Sequence, residues 1–235
     1  PHATSFLDTV ATNYVSVLQD GCAQYAYLLD CDGNVIDDIL IYRLRHDDYM
    51  LVVNASNADK DWDWLKVVNG DEVVIDREYP LKGVRETALL RNLKDPDHGP
   101  DQKVGIALQG PNSRAILQRL SSNVPMSGAL KQMPRMGLME TEISGLPVVV
   151  ARTGYTGEDV GYEIFVHPKQ APTLWNSVLE TGADLGVMPA GLAARDSTRI
   201  EAGLPLYGHE LAGPHGINPI ECGFGSFVKL HKPFF

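Results

Sequence analysis

Two adjacent acids, Asp37 and Asp38, stand between Ile36 and Ile39 in a segment rich in β-forming residues. Because neighbouring side chains of a strand point to opposite faces, one acid can face inward while the other faces water. An inward carboxyl group in a shielded site is the kind of acid that positions or takes a proton. A solvated pair beside a turn fits the same pattern, so the residues alone leave both alternatives open.

A third acid, Glu163, interrupts the apolar run from Tyr162 to Val166. A carboxylate in such a strand must face solvent or be held by a partner, and one functional partner is the N–H edge of a heterocycle. Arg195 lies among the small residues of 190–202, which let another element approach closely. Its charge can equally form pairs within a helix.

The segment from Arg152 to Asp159 places Tyr155 between Gly154 and Gly157. This spacing predicts a tight turn with exposed backbone between two strands, and an ordinary hairpin loop is the more frequent explanation. The segment lacks the lysine and hydroxyl residue, or the third glycine, of a phosphate-binding loop.

Patterns for other chemistries are missing from the sequence. His209, Glu210 and His215 do not have the spacing of metal ligands on one element, so no metal site is predicted. No serine lies in a Gly-x-Ser-x-Gly elbow, which weighs against an α/β-hydrolase.

Composition limits the partners and the compartment. Thirty acidic residues against twenty basic ones give a formal charge of -10, which repels nucleic-acid backbones and anionic lipids. The three cysteines form no Cys-x-x-Cys pair, which favours reduced thiols and predicts a cytoplasmic protein, or one of an organelle matrix. No apolar run approaches the ~18 residues that suggest a membrane span.

The candidate residues need elements to position them. Alternating apolar residues and Asp/Gly turns predict three antiparallel strands over 25–29, 35–44 and 49–53, followed by a helix over 57–67. The polar stretch 69–103 reads as a surface excursion with short strands at 73–75 and 88–90. Further strands at 104–108, 148–152 and 162–166, with helices over 112–120, 171–181 and 190–202, favour an α+β class.

Read in order, several motifs resemble the tetrahydrofolate-dependent aminomethyltransferase family, which includes the T-protein of the glycine cleavage system. The resembling stretches are Gly33–Asp38, Val52–Ala55 with Lys60-Asp61, Ala107–Pro111, Arg152–Asp159, and Gly191–Gly208. The resemblance implies a folate-binding α+β fold built of antiparallel sheets and packed helices. It places a ferredoxin-like folate-binding subdomain at 1–103, with the polar insertion at 69–103, and a second antiparallel subdomain completing the pocket at 104–220.

The resemblance also implies roles for the candidate residues. Asp37, rather than Asp38, would be the acid beside the reactive nitrogens of tetrahydrofolate, and that choice rests on the family match alone. Glu163 would grip the amino-pyrimidine edge of the pterin, and Arg195 would add a second polar contact. The further pocket residues would be Tyr25, Asn54 and Tyr155.

The implied reaction moves a methylene unit from an aminomethyl group on a lipoyl carrier protein to tetrahydrofolate and releases ammonia. The alternatives left open are a folate-dependent demethylase of a small methylated compound and a non-enzymatic folate-binding assembly or repair factor.

Three departures qualify the resemblance. Val160 is an extra residue before Glu163, and 69–103 is longer than the usual link. Pro1 in place of methionine, and an end at Phe235 with 221–235 as the start of a barrel, predict an incomplete copy.

Overall fold

The computed structural model describes residues 2–121, 124–213 and 216–232. Pro1, His215 and Phe235, on which sequence predictions drew, lie outside the described residues. The helices are α1 (Ala3–Val10), α2 (Ala58–Asn69), α3 (Ser113–Leu120), α4 (Val124–Gln132), α5 (Ala171–Gly182) and α6 (Leu192–Glu201). The strands are β1 (Cys22–Leu29), β2 (Val35–Arg45), β3 (Asp48–Val52), β4 (Val104–Gln109), β5 (Leu138–Ile143), β6 (Leu146–Ala151) and β7 (Gly161–Val166). Helices and antiparallel sheets confirm the predicted α+β class.

The chain divides into two compact units, and the first is built from both ends of the sequence. Unit 1 contains Pro1–Leu90 and Pro205–Phe235, and unit 2 contains Arg91–Leu204. These units divide after Leu90 and Leu204, whereas the predicted subdomains, which stay a prediction, divide after residues 103 and 220. The chain returns to unit 1 at Pro205 because Leu211 is fully buried against Tyr27 and Val35 of the first sheet. Such a contact between distant segments has no local signal in the sequence.

Unit 1 contains the predicted antiparallel meander, with strand order β1-β2-β3. Asp37 pairs with Leu28 and Asp38 with Tyr27, so the two acids lie on opposite faces of the sheet. The Asp37 face packs against α1 and α2 through a core that includes Phe6, Leu7, Leu28, Ile39, Leu65 and Val68. The first turn of α2 carries acids and its last turn a lysine, which suits the helix dipole.

The connection over 70–103 contains no strand, so the short strands predicted at 73–75 and 88–90 are wrong. The amide of Asn69 takes the place of a partner strand. Its Nδ2 donates to the Ala88 carbonyl at 2.9 Å, and its Oδ1 accepts from the Ala88 N–H at 2.8 Å. Val74 and Leu89 of these two segments are exposed. The other four apolar residues pack as loop side chains on the core of unit 1; they are Val73, Ile75, Ala88 and Leu90.

Unit 2 is a four-stranded antiparallel sheet of order β4-β7-β6-β5 with helices packed on it. β6 and β7 form the predicted hairpin, whereas β5 and α4 were not predicted. The sheet of unit 1 has three strands. The ferredoxin-like β-α-β-β-α-β unit expected for residues 1–103 has four. The core of unit 2 includes Leu108, Ile116, Leu117, Val150, Ile164, Leu174 and Val178.

No helix in the described part of the chain has the length and apolar character needed to cross a bilayer. The longest helices, α2 and α5, have 12 residues each, against about 20 for a spanning helix.

Candidate functional site

Asp37 is fully buried in unit 1 and is held by amide donors. Its Oδ2 accepts from the Asn54 backbone N–H at 2.9 Å. Its Oδ1 accepts from the side-chain amides of Asn54 at 2.9 Å and Asn57 at 2.6 Å. Asn57 stands immediately before α2, so the first turn of that helix and strand β2 meet at this carboxyl group. Asp37 is therefore placed to fix the position of Asn54.

Asp38 lies on the other face of the sheet, and its pKa is raised towards neutral pH. Its Oδ2 accepts from the Tyr25 hydroxyl at 2.9 Å, and its Oδ1 accepts from Asn54 Nδ2 at 2.9 Å. Burial and, next, the charge of Asp37 raise the pKa of Asp38 to about 6, although its hydrogen bonds from Tyr25 and Asn54 lower it. A carboxyl group with such a pKa can hold or release a proton near neutral pH.

Aromatic rings surround the Tyr25 side of this network. The ring centroid of Tyr25 lies 5.0 Å from that of Phe227, 5.2 Å from that of Tyr27 and 6.2 Å from that of Phe224, all with edge-to-face geometry. Burial and, to a lesser degree, the charge of Asp38 raise the pKa of Tyr25 far above its usual range. Its hydroxyl therefore stays protonated and donates to Asp38.

Glu163 lies in β7, between strands β4 and β6 of the unit 2 sheet. It pairs with Ala107 on one side and Ala151 on the other. The hydroxyl of Thr153, a buried residue, donates to Glu163 Oε2 at 2.5 Å. The sequence left open whether Glu163 faces solvent or is held by a partner. The structure gives it a protein partner in the loop that follows β6.

The same loop carries Tyr155, and its ring contacts Arg195 of α6. The guanidinium carbon of Arg195 lies 5.0 Å from the ring centroid, a cation–π distance. The loop is held at its base by Gln109, whose amide nitrogen donates to the carbonyls of Thr153 and Tyr162, each at 3.2 Å. Tyr155 and Arg195 are thus paired within unit 2.

Val160, which was predicted to be an extra residue of this loop, is held by hydrogen bonds to its backbone carbonyl. Its carbonyl accepts from the Gly110 N–H at 3.0 Å and from the Ser113 hydroxyl at 3.2 Å. Both donors stand where β4 leads into α3. Val160 therefore ties this loop to the start of α3 by two hydrogen bonds.

The predicted site residues fall into one group in each unit. Tyr25 and Asn54 join both acids of unit 1 in one hydrogen-bonded network, and unit 2 holds the Glu163–Thr153 and Tyr155–Arg195 pairs. Residues that sequence reasoning missed are Asn57 and Thr153. A helix-flanking asparagine and a hydroxyl beside a glycine were the available signals, but both are common. Within the three described ranges, no cluster of three or more His, Cys, Asp or Glu residues could hold a metal ion.

Comparison with known proteins gives matches over nearly the whole chain. The family model described as the GCVT N-terminal domain matches residues 1–232. An aminomethyltransferase of Symbiobacterium thermophilum is 42% identical over 234 residues, covering 99% of this chain and 56% of that protein. An aminomethyltransferase of Desulfitobacterium hafniense strain DCB-2 is 40% identical over 232 residues, covering 98% of this chain and 56% of that protein.

A solved structure gives a similar result. Glycine cleavage system aminomethyltransferase T from Bartonella henselae matches with a TM-score of 0.72 and 29% identity. The match covers 99% of this chain and 54% of that one. The chain therefore spans about half the length of the curated relatives and of the solved structure it matches.

Proposed function

Because this chain belongs to the GCVT N-terminal domain family, we propose that it supplies the folate-binding part of an aminomethyltransferase of the glycine cleavage type. The reaction transfers a methylene unit from an aminomethyl group on a lipoyl carrier protein to the 5-nitrogen of tetrahydrofolate, and ammonia leaves. The proposed partners are tetrahydrofolate and the lipoyl carrier, and the proposed compartment is the cytoplasm, or the mitochondrial matrix in a eukaryote. The relatives in the comparison are named aminomethyltransferases, and no observation favours a demethylase or an assembly factor.

The observation that carries this proposal is the hydrogen-bonded network around the acid pair of unit 1. The donor and the acceptor of a one-carbon unit are already activated, so the protein contributes mainly by positioning them and by stabilising charge. An acid with a pKa of about 6 beside a partly buried tyrosine can accept the proton that the folate nitrogen loses. In its ionised form it also stabilises the cation that develops during transfer.

The two acids divide this work in the proposed mechanism. The family resemblance implies Asp37 as the reacting acid, and we propose Asp38 for that step instead. Its complete burial and its three amide hydrogen bonds suit a group that holds Asn54 in place. Asp38 has the raised pKa and the aromatic surroundings, so we assign the proton transfer to Asp38 and the orientation of Asn54 to Asp37.

The groups of unit 2 are proposed to bind the pterin and the polar parts of folate. Glu163 would accept N–H donors of the amino-pyrimidine edge, with Thr153 fixing one of its oxygens. A carboxylate is the acceptor that such a pair of N–H groups requires. Arg195 would add a polar contact, and the Tyr155 ring would offer a flat apolar surface.

The direct test mixes the full-length protein with tetrahydrofolate and an aminomethylated lipoyl carrier protein, and measures ammonia and methylene-tetrahydrofolate. We expect both products in equal amounts. The matched control is the carrier without its aminomethyl group, which should yield neither. Folate binding without ammonia release would reject the proposed donor, and the absence of folate binding would reject the proposed function altogether.

A further inference from the structure

Thr12, which follows α1, joins two segments of unit 1 through buried hydrogen bonds. The residue is 1% exposed. Its hydroxyl accepts from the Tyr27 N–H and donates to the Phe227 carbonyl, each at 3.0 Å. Its backbone N–H donates to the Tyr27 carbonyl at 3.1 Å, and its carbonyl accepts from the Lys229 N–H at 2.9 Å. Thr12 therefore forms two hydrogen bonds with strand β1 and two with the segment that returns to unit 1 at Pro205.

The hydroxyl is the part of Thr12 that depends on its residue type. At the outer edge of β1 it accepts the Tyr27 N–H, a place that the carbonyl of a neighbouring strand would otherwise take. A buried N–H or C=O group without a partner costs free energy, so Tyr27 and Phe227 both depend on this oxygen. On its other side Tyr27 pairs with Asp38 of β2. The hydroxyl therefore fixes Phe227 beside the strand position that lies opposite the reacting acid.

The ring of Phe227 connects that backbone contact to the tyrosine of the acid network. Its centroid lies 5.0 Å from that of Tyr25, with 74° between the ring planes, and edge-to-face contact of this kind favours one orientation of the rings. The Tyr25 hydroxyl donates to Asp38 Oδ2 at 2.9 Å. The backbone of Tyr25 is held separately, by pairing with β2 and by the Asn13 side-chain amide, which donates to its carbonyl at 3.0 Å. Phe227 therefore acts on the ring that carries the hydroxyl rather than on the strand.

We propose that Thr12 is a positioning residue of the transfer reaction, because its hydroxyl fixes Phe227 and the Phe227 ring keeps the Tyr25 hydroxyl directed at Asp38. The inference rests on the proposed function for its effect on turnover, while its effect on the Tyr25 ring can be measured without any substrate. Thr12 acts through Phe227 and Tyr25 and not on the substrate itself. Its loss should therefore lower kcat more than it weakens binding.

The test compares Thr12→Val, Thr12→Ser and the control Thr9→Val, with kcat measured at a pH above the acid limb. Valine keeps the shape of threonine without the hydroxyl, and serine keeps the hydroxyl. Thr9 lies on α1, and its hydroxyl donates to the Ser5 carbonyl of the same helix at 2.9 Å. We expect kcat of T12V to fall about tenfold with KM little changed, as for a misplaced group. T12S should recover most of this loss, and T9V should match the wild type.

A double-mutant cycle with Tyr25→Phe shows whether Thr12 acts through Tyr25. Without the Tyr25 hydroxyl, Phe227 has no donor to direct, so T12V should lower kcat by less than about twofold in the Y25F background. A general loss of stability would lower kcat by the same factor in both backgrounds. Equal factors in the two backgrounds would overturn the inference.

Proton NMR of the tyrosine rings supplies a readout that needs no turnover. The Phe227 ring, 5.0 Å away, shifts the resonances of the Tyr25 ring protons through its ring current. We expect these resonances to move in T12V and to keep their wild-type positions in T12S and T9V. Tyr25 resonances that are unchanged in T12V would contradict a role of the Thr12 hydroxyl in fixing this ring.

The outcomes separate this inference from the function on which it rests. A wild-type protein that transfers no methylene, but whose Tyr25 resonances respond to T12V, rejects the proposed function and retains the positioning of Tyr25. An active wild type whose kcat is the same in T12V as in T9V rejects the positioning alone. If T12V does not fold, Phe227→Leu decides, since it removes the ring and keeps the backbone carbonyl to which Thr12 donates. F227L should lower kcat as expected for T12V, and a wild-type kcat in F227L rejects the inference.

Discussion

The hydroxyl of Tyr25 controls the acidity of the carboxyl group to which it donates. Its hydrogen bond to Asp38 lowers the pKa of that acid, against the stronger effects of burial and of the Asp37 charge. Tyr25→Phe removes the donor and keeps the ring, so the pKa of Asp38 should rise above its present value of about 6. We expect the acid limb of the kcat–pH profile to move to higher pH.

The control for this prediction is Tyr49→Phe, on strand β3, whose hydroxyl contacts Thr4 instead. It should leave the acid limb where it is in the wild type. A limb that stays in place in the Tyr25 variant would mean that Asp38 does not carry the titrating proton. If Asp38 carries the titrating proton, the acid limb of the kcat–pH profile should be absent in Asp38→Asn.

Asparagine variants of the acids and an alanine variant at Glu163 separate catalysis from binding. Asp37→Asn is predicted to reduce turnover with little effect on folate affinity, and Asp38→Asn, as the reacting acid of the proposed mechanism, should reduce it by about 10²–10⁴-fold. Glu163→Ala should weaken folate binding, because a hydrogen bond to a charged group contributes about 1.5–3 kcal/mol.

Folate titration by fluorescence or calorimetry, beside steady-state kinetics, measures both properties in the same preparations. Glu140→Ala is a useful control, because Glu140 lies on strand β5 of the same sheet. Equal losses of turnover and affinity in every variant would contradict the division of roles.

Alternation along a strand sufficed to predict that Asp37 and Asp38 face opposite ways, and the register of β1 and β2 agrees. The same argument could not say which face is buried, because that depends on where α1 and α2 pack. It also could not predict that Asp61 is buried, since an acid in the first turn of a helix usually serves the helix dipole in solvent.

At the scale of elements, a glycine of strand β7 tests the packing at the base of the Tyr155 loop. A Cβ atom on Gly161 of β7 would lie 2.1 Å from Gln109 Oε1, so the Gln109 amide would have to leave its position. That amide donates to the Thr153 and Tyr162 carbonyls, and both hydrogen bonds would be lost. We expect Gly161→Ala to destabilise the protein by about 1–3 kcal/mol, in the range of overpacking in well-packed sites.

Urea denaturation followed by circular dichroism measures the change. Gly105→Ala is the matched control, since a Cβ atom at this β4 position would meet Phe165 at 3.4 Å, an ordinary contact. The control should be nearly neutral. Equal effects in the two variants would mean that the Gln109 contact is not the cause.

Element prediction succeeded where the local pattern and the tertiary environment agree. The strands around Asp37 and Asp38, the β6–β7 hairpin and helices α2, α3, α5 and α6 all follow from periodicity and turn residues. It failed at 73–75 and 88–90, where some apolar residues pack on the core of unit 1 from a loop. At Ala88 the Asn69 side chain bonds the backbone in place of a strand. The alternation of apolar and polar residues does not show where a side chain, rather than a neighbouring strand, bonds the backbone.

At the scale of the whole chain, the motifs in their order carried more information than any one motif. Each candidate residue alone had an ordinary structural explanation, yet the ordered set identified the family, and the match of residues 1–232 confirms it. The assembly of unit 1 from two distant segments was outside the reach of the same analysis. It is encoded in contacts such as that of Leu211 with Tyr27, which join residues far apart in the sequence.

Lys232 tests how strongly the returning segment is bound to the rest of unit 1. Its side chain is fully buried, and its ammonium group donates to the carbonyls of Ala11 at 2.8 Å and Asn13 at 2.6 Å. It also lies 3.2 Å from Asp8 Oδ1. Lys232→Met keeps most of the apolar stem but leaves these acceptors without their shared donor, which should cost about 3 kcal/mol, as when one partner of a buried pair is removed.

Hydrogen exchange can locate this loss within the molecule. We expect the amides of β1 and β2 to lose protection in K232M, because the returning segment is part of their unit. Lys229→Met is the control, since its ammonium group donates to the Ser226 carbonyl in an exposed position. Protection of β1 that is the same in K232M and in the wild type would mean that the segment contributes little to unit 1. Lys232 would then be buried as a result of folding and would add little to the stability of unit 1.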